Sequence, residues 1–101
     1  MPRKKRNVSL HIDADFELAE AVVGYAKRRV ALAFRFNLQV KFIIKQLQVH
    51  ADRYPIVIDD CRRVVLPGFP YAIIYRIIEN QVLVLAIAHA KREPTYWLPR
   101  I

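Results

Sequence analysis

"YAIIYRIIENQVLVLAIAH", residues 71 to 89, is the stretch whose reading decides the fold. Two runs rich in β-branched and aromatic residues, Tyr71 to Ile78 and Gln81 to His89, flank Glu79 and Asn80. Such runs favour strands, and Asn tolerates the left-handed backbone that a tight hairpin turn requires. The stretch therefore reads as an antiparallel hairpin. A further strand precedes it at "RRVVL", residues 62 to 66, set apart by Pro67, Gly68 and Pro70. Alternation puts Tyr71, Ile73, Tyr75 and Ile77 on one face of the sheet and Ala72, Ile74 and Ile78 on the other. Both faces are apolar, and one layer of helices covers only one of them. Either the terminal segment or a partner must cover the second, since a large bare apolar patch marks a binding surface.

Toward the N-terminus, Val8, Leu10 and Ile12 alternate with Asn7, Ser9 and His11, the period of a short half-buried strand. "DADFELAEAVVGYAKRR", residues 13 to 29, then carries Leu18, Val22, Tyr25 and Arg29 at helical spacing. Asp13 or Asp15 is placed to cap the free N–H groups of its first turn. Acids crowd the start (Asp13, Asp15, Glu17, Glu20) and bases the end (Lys27, Arg28, Arg29), an order that complements the helix dipole. A second helix is expected from Ala31 to Ala51, with Phe36, Val40, Ile43, Ile44 and Leu47 inward and Arg35, Lys41 and Lys45 solvated.

The junction "RRVALAF", residues 28 to 34, holds no Gly or Pro, so local chemistry alone permits one long helix. Folding back into an antiparallel hairpin buries both apolar stripes, and that is the arrangement expected. Tyr54 and Pro55 end the second helix, because proline lacks a donor and forces its predecessor out of helical geometry. A loop should follow through Asp59 and Asp60. The fold class is thus α+β, in the order β-α-α-β-β-β, with the helical hairpin packed on a small, twisted, mainly antiparallel sheet. One domain is expected over residues 8–101, preceded by a basic flexible tail at residues 1–7.

A chain of 101 residues makes one small domain, and 54% hydrophobic residues with two Gly argue against a disordered one. Seventeen Lys and Arg against nine Asp and Glu leave +8 charges, a balance that suits nucleic acid, an acidic membrane surface or an acidic protein. Cys61 is the single cysteine, so no internal disulfide forms, and no Cys/His spacing suggests zinc. A cytoplasmic location without metal or cofactor is the simpler expectation. "MPRKKRN" is not followed by an apolar leader, because Ser9, His11, Asp13 and Asp15 interrupt it. Val82 to Ala88 is far short of the roughly 20 apolar residues that span a bilayer, so no membrane role is expected.

Where the last strand surfaces, "AHAKREPTYW", residues 88 to 97, gathers a His, a Lys, an Arg, a Tyr and a Trp. Together "RRVVLPGFPYAIIYRI", residues 62 to 77, and "LAIAHAKREPTYW", residues 85 to 97, resemble toxins of the RelE/ParE superfamily from bacterial type II toxin–antitoxin systems. The Phe69-Pro70-Tyr71 element and the His89, Arg92, Pro94, Tyr96, Trp97 pattern carry the likeness. It implies a toxin that arrests growth until a cognate antitoxin masks it, and it assigns no antitoxin-binding residues.

The superfamily divides by target. Its ribosome-dependent ribonucleases cut messenger RNA by attack of a 2′-hydroxyl on the adjacent phosphate, which requires a base, an acid and cations. By that resemblance His89, Arg92 and Tyr96 would be catalytic. In either branch Arg62, Arg63, Lys91, Arg92 and Arg100 would bind the target. Arg62 and Arg63 point to opposite faces, so at most one shares a surface with Arg92.

Two departures disfavour cleavage. Pro67 stands where one ribonuclease branch has an Arg, and the strand before it offers Arg62 and Arg63 instead of Lys. Arg stabilises charge but transfers protons poorly. The ParE branch, whose members poison DNA gyrase by contact, is the better fit, with its long helical hairpin. A non-toxic basic RNA-binding or structural domain is the competing class. Packing accounts for much of the cluster: His89 bonded to the main chain at a strand end, and Tyr96 and Trp97 covering the sheet edge.

Overall fold

The computed structural model describes residues 5–101. Along the chain lie β1 (Val8–Leu10), α1 (Ile12–Arg28), α2 (Val30–His50), β2 (Ile56–Ile58), β3 (Cys61–Val65), β4 (Tyr71–Ile78) and β5 (Gln81–His89). Single turns of 3-10 helix follow α2 at Ala51–Arg53 and close the chain at Leu98–Arg100. The five strands form one sheet in the order β1-β5-β4-β3-β2, antiparallel except where β1 runs parallel to β5.

The hairpin of β4 and β5 forms as read. Ile78 faces Gln81, and Glu79 and Asn80 both adopt left-handed backbone with φ of 50° and 63°. Two left-handed residues give the twist that matches the flanking strands. The helices also fold back on each other as expected. A single residue makes the break: Arg29 is extended, with φ −167° and ψ 128°, and its N–H still donates to the Tyr25 carbonyl. Burial of Ala14 and Ala21 on α1 and of Phe36, Val40, Ile43 and Leu47 on α2 selects this turn over a continuous helix.

Three expectations need correction. The cap of α1 is His11, whose Nδ1 accepts from the Asp13 N–H at 3.1 Å, and not Asp13 or Asp15. The stretch read as a loop contains β2, which pairs with β3 through Ile56 and Arg62 and turns at Asp59 with φ 49°. Three residues between a proline and two acids are too few to show a period. Lastly, bonding into the domain begins before residue 8. The Arg6 N–H donates to the Gln48 carbonyl, Arg6 Nε donates to Asn80 Oδ1, and Val82 N–H donates to the Asn7 carbonyl. The rest of the expected tail, residues 1–4, lies outside the described residues.

The sheet is covered on both faces by its own chain. The helices bury Val64, Ile73, Tyr75, Val82, Val84 and Ile87 on one side. On the other, Trp97 swings back from the C-terminal segment onto Cys61, Ile74, Leu85 and Ala86 and is only 2% exposed. A bulge makes this second core possible. Between Ile74 and Tyr75 the register with β5 shifts, so Leu85 and Ala86 both face Trp97 and the alternation resumes with Ile87 on the helix side. Cys61 is wholly buried in that core, and burial pushes its thiol pKa up, so it behaves as an inert packing residue.

Candidate functional site

The C-terminal segment is held by one carboxylate. β1 pairs with β5 only as far as Val84, whose carbonyl accepts from the His11 N–H. Beyond that point Arg100 donates to the Leu85 carbonyl at 2.9 Å and Glu17 accepts from the Ile87 N–H at 3.0 Å. The pair thus satisfies main-chain groups that the bulge and the end of β1 leave without a strand partner. Glu17 also takes both Arg100 Nη groups, at 2.8 and 3.0 Å, and the Tyr96 hydroxyl at 2.7 Å. Burial pushes the Glu17 pKa up, but the bonds from Arg100, Tyr96 and Ile87 outweigh it and hold the group below the usual carboxylate value. Burial and that same carboxylate make the Tyr96 hydroxyl much harder to ionise.

This clasp presents a basic surface on the second face of the sheet. Arg92 lies over the Tyr96 ring, 3.8 Å from guanidinium carbon to centroid, with Nη1 3.9 Å from Glu17. Arg63 points to the same side from β3, and the two line a shared pocket of about 310 Å³. Lys91, next to Arg92 in the chain, is exposed. Of the two arginines on β3, one therefore shares a surface with Arg92, as strand alternation requires. Arg62 turns to the helix side and donates to the Asp52 and Tyr54 carbonyls at 3.2 and 2.6 Å. Arg100 is similarly engaged within the fold.

His89 sits at the end of β5 with Nδ1 accepting from the Lys91 N–H at 3.0 Å. Its ring meets Tyr71 edge to face at 4.9 Å. Tyr71 in turn packs with Tyr25 and Phe36, at centroid distances of 6.3 and 5.2 Å, and Phe69 meets the same two rings at 5.2 and 5.3 Å. The Phe69-Pro70-Tyr71 element thereby pins the β3–β4 loop to the turn end of the helices. Sequence reasoning missed Glu17, which reads as one of several acids opening a helix. Its signal was the basic C-terminus, whose Arg100 needed a partner.

A second surface was also missed. Phe34, Leu38 and Phe42, one turn apart on α2, are 67%, 64% and 59% exposed, and Phe16 and Val23 are exposed on α1. Arg35, Lys41 and Lys45 are exposed on α2 as well. The bases alone were expected outside, but spacing of four continues the apolar pattern around the helix onto the outer face. Among the described residues no helix is long and apolar enough to cross a membrane, and no cluster of three His, Cys, Asp or Glu could hold a metal.

Residues 8–94 match the model of the ParE toxin of type II toxin–antitoxin systems, parDE. The chain belongs to the ParE toxin family. The fold agrees: a solved structure described as the chromosomal ParDE toxin–antitoxin system from P. aeruginosa superposes with a TM-score of 0.75. It has 16% identity and covers 88% of this chain and all of the matched one. No curated protein sequence matches the chain. As a ParE-family toxin it belongs to a two-part system, whose other part is a cognate antitoxin. The family match ends at Pro94, so Tyr96, Trp97 and Arg100 of the clasp fall outside it.

Proposed function

We propose that this toxin acts by contact, inhibiting DNA gyrase through the surface that carries Arg63, Lys91 and Arg92, and that it performs no cleavage of its own. The observation that supports this most is how the titratable groups are spent. His89 gives Nδ1 to the Lys91 N–H and its ring to Tyr71. Tyr96 gives its proton to a bond with Glu17, and Glu17 is held as a carboxylate by Arg100. Cations remain for binding, while Tyr96 and Glu17 are bonded to each other, so among these groups His89 has no titratable partner bonded to it for proton transfer to and from an RNA 2′-hydroxyl and its leaving oxygen. The +8 charge favours rapid, salt-sensitive encounter with an acidic surface.

The exposed row on the helical hairpin suits the antitoxin. Phe34, Leu38 and Phe42 with Lys41 and Lys45 beside them offer an apolar stripe with a basic margin, the complement of an acidic amphipathic helix. It lies on the helices, while Arg63 and Arg92 open on the opposite face of the sheet.

The test is a supercoiling assay with purified gyrase and toxin, run beside a translation assay in which messenger RNA ends are mapped. Loss of supercoiling with translation intact is expected; new cuts in ribosome-bound messenger RNA would overturn the proposal. His89→Gln keeps one hydrogen bond but shuttles no proton, so the folded variant should retain full toxicity. A folded, non-toxic His89→Gln protein argues for cleavage.

A further inference from the structure

Beside the two guanidiniums the second face dips into a trough. Val65, Ala72 and Ala88 stand opposite one another across β3, β4 and β5, and the two alanines leave a low apolar floor. Pro94 and Trp97 stand with Ile74 around it, and Arg63 and Arg92 complete the lining. The size, about 310 Å³, is at the lower end for ligand pockets. Glu93 also lines the trough, its carboxylate turned to the Thr95 N–H and hydroxyl at 3.1 and 2.7 Å, and the two guanidiniums outnumber that one negative charge, so the local balance is positive.

What the trough lacks defines its occupant. Nucleobases are held by stacking on free aromatic faces. Here the aromatic rings of the lining are already engaged: Trp97 is buried, Tyr96 carries Arg92, Phe69 and Tyr71 pack with Tyr25 and Phe36, and His89 meets Tyr71 edge to face. The floor offers methyl groups and no side-chain donor or acceptor. An apolar side chain fits that floor, and a carboxylate fits the two guanidiniums, which bind it with directed N–H groups.

We propose that the trough is a specificity pocket that takes one large apolar side chain of the target protein, with an adjacent Asp or Glu of the target held by Arg63 and Arg92. The inference rests on the contact reading above, and it names what that surface recognises.

The test titrates the full chain with the peptide Ac-Glu-Phe-Asp-NH2 and follows the backbone amide shifts of Val65, Ala72 and Ala88. Saturable shifts are expected at roughly millimolar peptide. Ac-Glu-Ala-Asp-NH2 and Ac-Lys-Phe-Lys-NH2 should bind about tenfold more weakly or worse. Ala88→Leu fills the floor and should abolish the response. Should that variant not fold, Arg63→Gln, at an exposed position, should weaken binding of the first peptide about tenfold without weakening the third. Equal responses to all three peptides, or none to any, overturn the proposal. A single-stranded trinucleotide that shifts these amides when the peptides do not would make the trough a nucleotide site. The titration needs no gyrase. Peptide binding lost in Ala88→Leu with growth arrest unchanged removes the trough from target capture and leaves the gyrase reading standing; peptide binding intact with gyrase unaffected removes only the gyrase reading.

Discussion

Trp97 and Arg92, five positions apart, allow folding to be tested separately from the proposed recognition. Trp97 is 2% exposed in the second core, so Trp97→Ala should cost about 3 to 5 kcal/mol, lowering thermal stability and toxicity together. Arg92 is half-exposed and its nearest carboxylate, Glu17, is 3.9 Å away. Arg92→Ala should change stability by about 1 kcal/mol or less while toxicity falls and antitoxin affinity holds. Urea titration with a growth assay checks both. Glu17 is the third informative residue. Its folded pKa lies below the ordinary 4.5, so its contribution is fully present above about pH 4.5 and is lost as pH falls through the folded value. Glu17→Gln should cost about 1.5 to 3 kcal/mol at pH 7 and flatten the acid limb of the stability profile. A variant with an acid limb as steep as the wild type places that titration elsewhere.

Among the elements, the β4–β5 hairpin carries a local compromise. Glu79 holds φ of 50°, a conformation that costs residues other than Gly and Asn about 1 kcal/mol. Glu79→Asn should therefore stabilise the domain by about 0.5 to 1 kcal/mol, seen as a rise of a few degrees in Tm, roughly 4 to 8 °C per kcal/mol. An unchanged or lower Tm would show that the turn is not limiting. The bulge at Leu85 works in the opposite sense. It breaks the alternation that makes a strand easy to read, and by turning Leu85 and Ala86 to the same side it builds the core that receives Trp97.

The whole molecule is a sheet packed by helices on one face and in part by its C-terminal segment on the other, with bare apolar surface on the helices. Phe34 and Phe42 are mostly exposed, so the double change Phe34→Ser, Phe42→Ser should move stability little, about 0.5 kcal/mol or less per site. It should raise the solubility of the free toxin and weaken neutralisation by the antitoxin, while arrest of growth by the toxin alone persists. Co-expression at graded antitoxin levels measures this. Unchanged neutralisation would move the antitoxin to another surface. Because Arg63 and Arg92 open on the opposite face of the sheet, an antitoxin seated on this helical row need not touch them.

Residue order alone determined much of this protein. The β4–β5 hairpin, the two helices, the stop at Tyr54 and Pro55, and the rule that at most one of Arg62 and Arg63 shares a face with Arg92 all follow from period, propensity and turn chemistry, which act over a few residues. The fold-back of the helices was expected from the need to bury two apolar stripes, and the sheet decided that Arg63 is the arginine on the face of Arg92. The Phe69-Pro70-Tyr71 and His89-to-Trp97 elements carried the superfamily resemblance. Tertiary structure decided the rest. Glu17 meets Arg100 from 83 residues away, and only the closed sheet edge brings them together. The outward turn of Phe34, Leu38 and Phe42 depends on which stripe of α2 the sheet selects, and two apolar stripes on one helix look alike until one is buried. The trough exists because Ala72 and Ala88 meet in register across two strands, and register is a property of the assembled sheet.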